Sequence, residues 1–332
     1  MLSSDVEGKS LTLVAGYLGA GKTTLVNRIL GNRSLRRTAV VVNDFGSVNI
    51  DAALIADSGA DTIELTNGCI CCQIGDNVQR TMSALAERSD IDCVICEVSG
   101  VGDPAQLRAW STYPGFRPGG VLVCVDAVAT VERLHDEYVA DVVAAQIRAA
   151  SLLAVTKTDV ANGEQVSLLR ERCAGIAGEV PMFMTAMRED HGSCSDEFVS
   201  MMRAIMAFDI GRRDQSERRE KYEPGSTSQV RSHHVATHRS LTVTLPGRVD
   251  IESVGHVLTN HVARLVRAKG IVLSTSGEYE VIQLASNIVR IATAPTGQIG
   301  SMESYIVLIG AGPKADEELR LAAMDLRGLC DA

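Results

Sequence analysis

Aromatic side chains are scarce: Phe, Tyr and Trp together make up 4% of the chain, with a single Trp. Any core must therefore be filled mainly by Val, Leu, Ile and Ala. Positive charge is not in excess either. The net charge is −9, so nucleic acid and anionic lipid offer no general counterion-release energy, and neither is expected as a partner. No uninterrupted apolar run approaches the length of about eighteen residues that a membrane-spanning helix needs. The opening MLSSDVEGKS lacks a basic segment leading into an apolar one and does not read as a signal peptide. Cytoplasm is the expected location. The nine cysteines are an odd number, and their scatter suits a reducing compartment better than a disulfide scaffold. Cys93, Cys96 and Cys124 sit in apolar runs and read as small hydrophobes.

What is present is an alternation. The 332 residues suffice for two domains. Short apolar runs at 11–15, 39–42, 92–97, 121–125 and 152–155 are separated by helix-like stretches such as 78–88 and 164–174. Continuous apolar strands alternating with helices predict an α/β unit with a mostly parallel sheet covered on both faces. Such sheets bind ligands beyond the carboxyl ends of their strands, where Asn43, Asp44, Glu97, Thr156 and Asp159 collect. Residues 211–236 are charged, then rich in Pro, Gly and Ser, and read as a linker. Strands expected at 241–245, 270–274, 279–284, 288–292 and 305–309, with helices at 251–266 and 315–329, make a smaller α+β unit. The expected domains are 1–210 and 237–332.

Four motifs carry chemistry. Gly16-Tyr17-Leu18-Gly19-Ala20-Gly21-Lys22-Thr23 fits G-x-x-x-x-G-K-[ST] between a strand and a helix. Gly16, Gly19, Ala20, Gly21 and Thr24 belong to a backbone cradle for phosphates. Lys22 would reach the β- and γ-phosphates, and Thr23 would ligate Mg²⁺; the alternative is a chance Gly-rich turn. Thr156-Lys157-Thr158-Asp159 closes a strand. A carboxylate there accepts from guanine N1 and N2, with the Lys157 stem along the base, so GTP is selected over ATP; otherwise Asp159 is a helix N-cap. Glu97 can hold Mg²⁺ or its water, and Gly100 can bring an N–H to the γ-phosphate, while Asp44 suits a switch near the attacking water. Loop capping is the alternative for all three. Cys69, Cys71 and Cys72 lie within four residues, too close to pair among themselves with good geometry. Thiolates suit soft or borderline metals, and three ligands leave an exchangeable fourth position; burial and redox sensing are the alternatives. No arginine or water-positioning glutamine accompanies these motifs, so intrinsic hydrolysis is expected to be slow. His234 and His238 are spaced for chelation on a helix, but His233, His234 and His238 read more simply as part of an exposed linker.

Together GYLGAGKTT, NDFG, ELTNGCICC, EVSGVGDP and TKTD resemble, in order and spacing, the CobW-like GTPases, relatives of the urease and hydrogenase nickel-insertion proteins. The resemblance covers most of 10–160 and resumes at Arg267-Ala268-Lys269-Gly270, similar to the R-x-K-G of that family's C-terminal domain. It differs at three places: Asp44 stands for the usual Glu, Ser47 for a common acid, and Thr156 for the usual Asn. The resemblance implies a metallochaperone in which Lys22, Asp44 and Glu97 serve GTP hydrolysis and nucleotide state gates metal at the cysteines. Zn²⁺ ranks first and Co²⁺ second. The implied partners are a client metalloprotein or metal-cofactor biosynthetic enzyme, and a nucleotide-dependent homodimer. Competing readings are a P-loop ATPase or kinase, and a non-catalytic metal buffer or sensor with bound nucleotide.

Overall fold

The structure, a computed structural model, describes residues 8–31, 37–42, 62–64, 76–186, 196–206, 238–263, 265–285, 287–294 and 303–330. Seven strands form the first sheet: β1 (Lys9–Ala15), β2 (Thr38–Val42), β3 (Thr62–Glu64), β4 (Cys93–Glu97), β5 (Phe116–Asp126), β6 (Leu152–Thr156) and β7 (Met182–Thr185). Their order is β3-β2-β4-β1-β5-β6-β7, and every pairing is parallel. The five expected runs are all strands. Sequence reading passed over β3 and β7, which are only three and four residues long and lie at the two edges.

Both faces of the sheet are covered, which is why its central strands are apolar without alternation. On one face Leu11, Leu13, Val41, Val123 and Leu153 share a core with Val143, Ile147 and Leu169 from the helices Ala140–Arg148 and Gly163–Ala177. On the other, Val14, Ile95 and Leu122 pack with Leu25 and Val26 of helix Lys22–Gly31 and with Phe198 of helix Asp196–Met206. The guanidinium of Arg28 lies 4.5 Å from the centre of the Phe198 ring.

A second sheet is antiparallel throughout, in the order β11-β10-β9-β12-β8. Its strands are β8 (His238–Leu245), β9 (Leu265–Leu273), β10 (Tyr279–Ala285), β11 (Ile288–Thr293) and β12 (Ser304–Ala311). Alternation in β12 divides its side chains cleanly. Ile306 and Leu308 pack with the helices Ile251–Asn260 and Ala315–Gly328. Tyr305, Val307 and Ile309 join the core of the first domain instead. β12 is thus buried on both faces, one of them by the first domain, while the edge strand β11 stays mostly exposed.

One expectation is corrected. The helix predicted over 251–266 ends at Asn260, and residues 265–273 form β9. Val262, Leu265 and Val266 prolong the apolar helical spacing, but the chain turns after Asn260, and from Leu265, which pairs with Gly310 of β12, it runs as a strand between β10 and β12. Asp250 caps the true helix start, accepting from the Ser253 N–H at 3.0 Å.

Phe198 is among the largest fully buried side chains. Phe198→Ala is expected to lower unfolding free energy by about 3–5 kcal/mol, read from the midpoint of urea unfolding; an unchanged midpoint would show that the helix carrying it is not part of the cooperative core.

Candidate functional site

The P-loop follows β1 at the centre of the sheet. Gly16 adopts φ +136°, and a Cβ there would sit 2.5 Å from the Cys124 carbonyl oxygen of β5, so only glycine fits. Cys124 and Cys96 are buried, and burial pushes both thiols up to about 12, in line with their reading as small hydrophobes. Lys22 is 4% exposed and donates from Nζ to the carbonyls of Gly16 at 2.9 Å and Tyr17 at 3.5 Å. Thr23 Oγ1 donates to Glu97 Oε1 at 3.0 Å across 74 positions of sequence. Parallel pairing of β1 with β4 brings these two ends level. A hydroxyl and a buried carboxylate side by side are the hard oxygen donors that Mg²⁺ takes, so the donor set fits that ion.

Gly100 follows β4 against the P-loop; a Cβ there would lie 2.5 Å from Leu18 Cδ2. The Gln146 amide holds this stretch from beneath, donating to the Gly100 carbonyl at 3.2 Å and the Gly102 carbonyl at 2.8 Å. Sequence reading missed Gln146. Its signal was a polar residue within the apolar stripe of Val142, Val143 and Ile147.

At the end of β6, Thr156 Oγ1 donates to the Ala20 carbonyl at 2.8 Å and to Val125 O at 3.3 Å. That bond gives Thr156 a physical task at the position where Asn is usual. Lys157 takes a left-handed φ of 58° and bonds Asp126 Oδ2 at 2.6 Å. Asp126 is completely buried and also accepts from the N–H groups of Val128 and Ala129. Burial lowers the Lys157 pKa most, with Arg133 and Arg290 pushing the same way and Asp126 opposing. Asp126 closes β5, and the parallel register of β5 and β6 sets it beside Lys157. Asp159 is exposed. It is not the N-cap of the next helix: Asn162 is, in a reciprocal box with Gln165.

Gly19, Gly21, Lys22, Thr23, Thr24 and Lys157 line one cavity of about 330 Å³. Glu97 and Thr156 bond the P-loop from behind, and Gly16 packs closely on β5 and Gly100 on Leu18; Asp159 is not part of the lining. The opposite wall belongs to the second domain and includes Gln283 and Arg290. A glutamine and two arginines therefore line this pocket from the second domain, Arg267 from the R-x-K-G stretch and Gln283 and Arg290 from strands with no motif for them. His238 is likewise revised. It lies in β8, not on a helix, is 2% exposed rather than part of an exposed linker, and its Nε2 is 2.7 Å from the Tyr17 hydroxyl of the P-loop. Asp44, Ser47, Cys69, Cys71, Cys72, His233, His234 and the linker 211–236 lie outside the described residues. Among the described residues no group of three or more His, Cys, Asp or Glu is placed to hold a metal, and no helix is long and apolar enough to cross a membrane.

Comparison with known proteins covers both sheets. The family described as "CobW/HypB/UreG, nucleotide-binding domain" matches residues 10–184. The "Cobalamin synthesis protein cobW C-terminal domain" matches residues 238–323. The chain is 29% identical over 339 aligned positions to zinc chaperone YjiA of Escherichia coli, covering 96% of this chain and 98% of that protein. It is 31% identical over 205 positions to zinc chaperone CobW of Sinorhizobium sp, covering 53% of this chain and 58% of that one. A third relative, zinc-regulated GTPase metalloprotein activator 1 of Schizosaccharomyces pombe, is 29% identical over 51% of this chain and 43% of its own length. The chain thus spans just over half of its CobW relative and nearly all of YjiA.

Removing one member of a buried ion pair strands the other. Asp126→Ala is expected to cost about 3–5 kcal/mol in urea unfolding, and adding Lys157→Met to it should recover part of that loss. A double variant less stable than the single one would mean that Lys157 does not depend on Asp126.

Proposed function

The chain belongs to the CobW/HypB/UreG family of nucleotide-binding proteins, and from that premise we propose that it is a GTP-hydrolysing metallochaperone. It binds GTP with Mg²⁺, takes up a transition metal at Cys69, Cys71 and Cys72, and passes it to a client metalloprotein or a metal-cofactor biosynthetic enzyme. The metal is cargo, with Zn²⁺ first and Co²⁺ next by thiolate affinity. The units are residues 1–210 and 237–332, joined by a linker at 211–236.

One observation carries the nucleotide half: the Thr23 hydroxyl lies 3.0 Å from the Glu97 carboxylate beside a P-loop lysine. Thr23 and Glu97 would hold Mg²⁺, which would supply charge neutralisation at the phosphate oxygens. Lys22 exchanges its loop carbonyls for β- and γ-phosphate oxygens, while Gly16, Gly19, Ala20, Gly21 and Thr24 shape the cradle of N–H groups. Gly100, held by Gln146, presents its N–H to the γ-phosphate. Lys157, fixed by Asp126, lies along the base, and Asp159 accepts from guanine N1 and N2. Thr156 ties this base-reading turn to the P-loop, so base and phosphate recognition share one rigid frame. Asp44 orients the water that attacks the γ-phosphorus. The bond to the β-phosphate oxygen breaks, giving GDP and inorganic phosphate.

Nucleotide and metal sites on adjoining segments bias each other reciprocally. The names of the relatives support zinc as cargo. Cys69→Ala/Cys71→Ala/Cys72→Ala is expected to keep the parent's GTP affinity and lose tight zinc binding, measured by competition with a chromogenic chelator. Zinc binding as tight as the parent's would sink the cysteine assignment. In parallel, unlabelled GTP should displace a fluorescent GTP analogue at about a hundredfold lower concentration than ATP does; equal potency would favour the ATPase or kinase reading.

A further inference from the structure

The second sheet turns a row of cations towards the P-loop. Within β9, Ala268 and Val272 pack with the covering helices, so Arg267, Lys269 and Ile271 face the other way. Strand register extends that row: Lys269 lies opposite Gln283, and Gln283 opposite Arg290. Arg267, Lys269 and Arg290 line the same cavity as Lys22 and Thr23. The approach is close, since a Cβ added to Gly19 of the P-loop would sit 2.7 Å from the Cβ of Ala285, the register partner of Arg267. Lys269 is 4% exposed, so its charge lies within the assembly and not on its rim.

The cations that line this cavity suit an anionic occupant. Among the described residues its lining holds five cationic side chains, Lys22, Lys157, Arg267, Lys269 and Arg290, and no Asp or Glu, in a chain whose net charge is −9. Lys157 has Asp126 behind it, and Arg267, Lys269 and Arg290 stand on the wall opposite the P-loop. Like charges in a partly enclosed space repel through a low effective dielectric, and Arg290 is among the groups that lower the Lys157 pKa. A polyanion between them converts that repulsion into attraction. One wall offers the N–H groups of a P-loop and the start of a helix. Facing it are ammonium and guanidinium groups, the latter suited to bidentate phosphate contacts.

We infer that Lys269 and Arg290, flanked by Arg267, complete the phosphate-binding site in cis, clamping the polyphosphate of the nucleotide between the P-loop and the second sheet. This rests on the reading that the P-loop takes GTP. It makes the second domain part of the nucleotide site, so triphosphate binding and the docking of the two domains stabilise one another.

Full-length Lys269→Gln/Arg290→Gln is titrated with a fluorescent GTP analogue over a range of salt, beside the parent, Lys22→Ala and the charge-preserving Lys269→Arg/Arg290→Lys. The charge-removing pair is expected to bind GTP about ten- to a hundredfold more weakly. Its plot of log affinity against log salt should be shallower than the parent's, as loss of phosphate contacts requires. The charge-preserving pair should keep most of the affinity and the parent's slope. Unchanged affinity in the charge-removing pair overturns the inference, as does a loss with an unaltered slope or an equal loss in the charge-preserving pair. In each case a parent that binds GTP and needs Lys22 leaves the GTPase reading standing. A parent that binds no GTP overturns that reading and the inference with it.

Discussion

A loop that offers its backbone N–H groups to an anion needs its carbonyls satisfied by the protein. Here each carbonyl partner comes from a different source. Lys22 covers Gly16 from inside the loop, Thr156 reaches Ala20 from β6, and the Ala20 N–H closes on Tyr17. Beneath, Gly16 rests on β5 with no room for a side chain. The loop's shape is therefore a property of the parallel sheet. Loss of register between β1, β5 and β6 would undo it without touching a residue of the motif.

The same sheet aligns the other half of the chemistry. Glu97 arrives at the Thr23 hydroxyl because β4 and β1 run parallel and end together. Asp126 arrives at Lys157 for the same reason one strand pair over. The two carboxylates have opposite consequences. Asp126 is committed to a lysine and two backbone N–H groups and acts as a fixed counter-charge. Glu97 holds a hydroxyl, a bond that exchanges readily for a cation.

The parallel sheet and the P-loop were legible because each is written locally, as apolar runs and as glycines at fixed spacing. Thr156 to Asp159 and Glu97 were legible as polar residues closing apolar strands. The tasks of Gln146 and Asp126 were not, since each acts on a residue more than thirty positions away; the sequence marks only a polar residue in an apolar stripe and a carboxylate closing an apolar run. The second domain's contribution was the least visible. The alternation of Arg267, Lys269 and Ile271 shows only that they share a face; which face meets the P-loop is settled by packing. The misplaced helix end at 266 made this harder, because it put Arg267 and Lys269 after a helix and outside any strand.

The contact between Tyr17 and His238 has a bearing on how such chains can be cut and recombined. Tyr17 is the first variable position of the P-loop, and His238 opens β8 at the threshold of the second domain. Each domain thus carries half of a buried polar pair: burial pushes the Tyr17 hydroxyl's proton affinity up, so it stays a neutral group whose hydrogen bond goes to His238. A chimera that grafts a foreign second domain onto this first one would keep Tyr17 in the P-loop and lose its His238 partner. The two positions behave as a matched pair that must travel together, and the seam between the domains is best drawn upstream of His238.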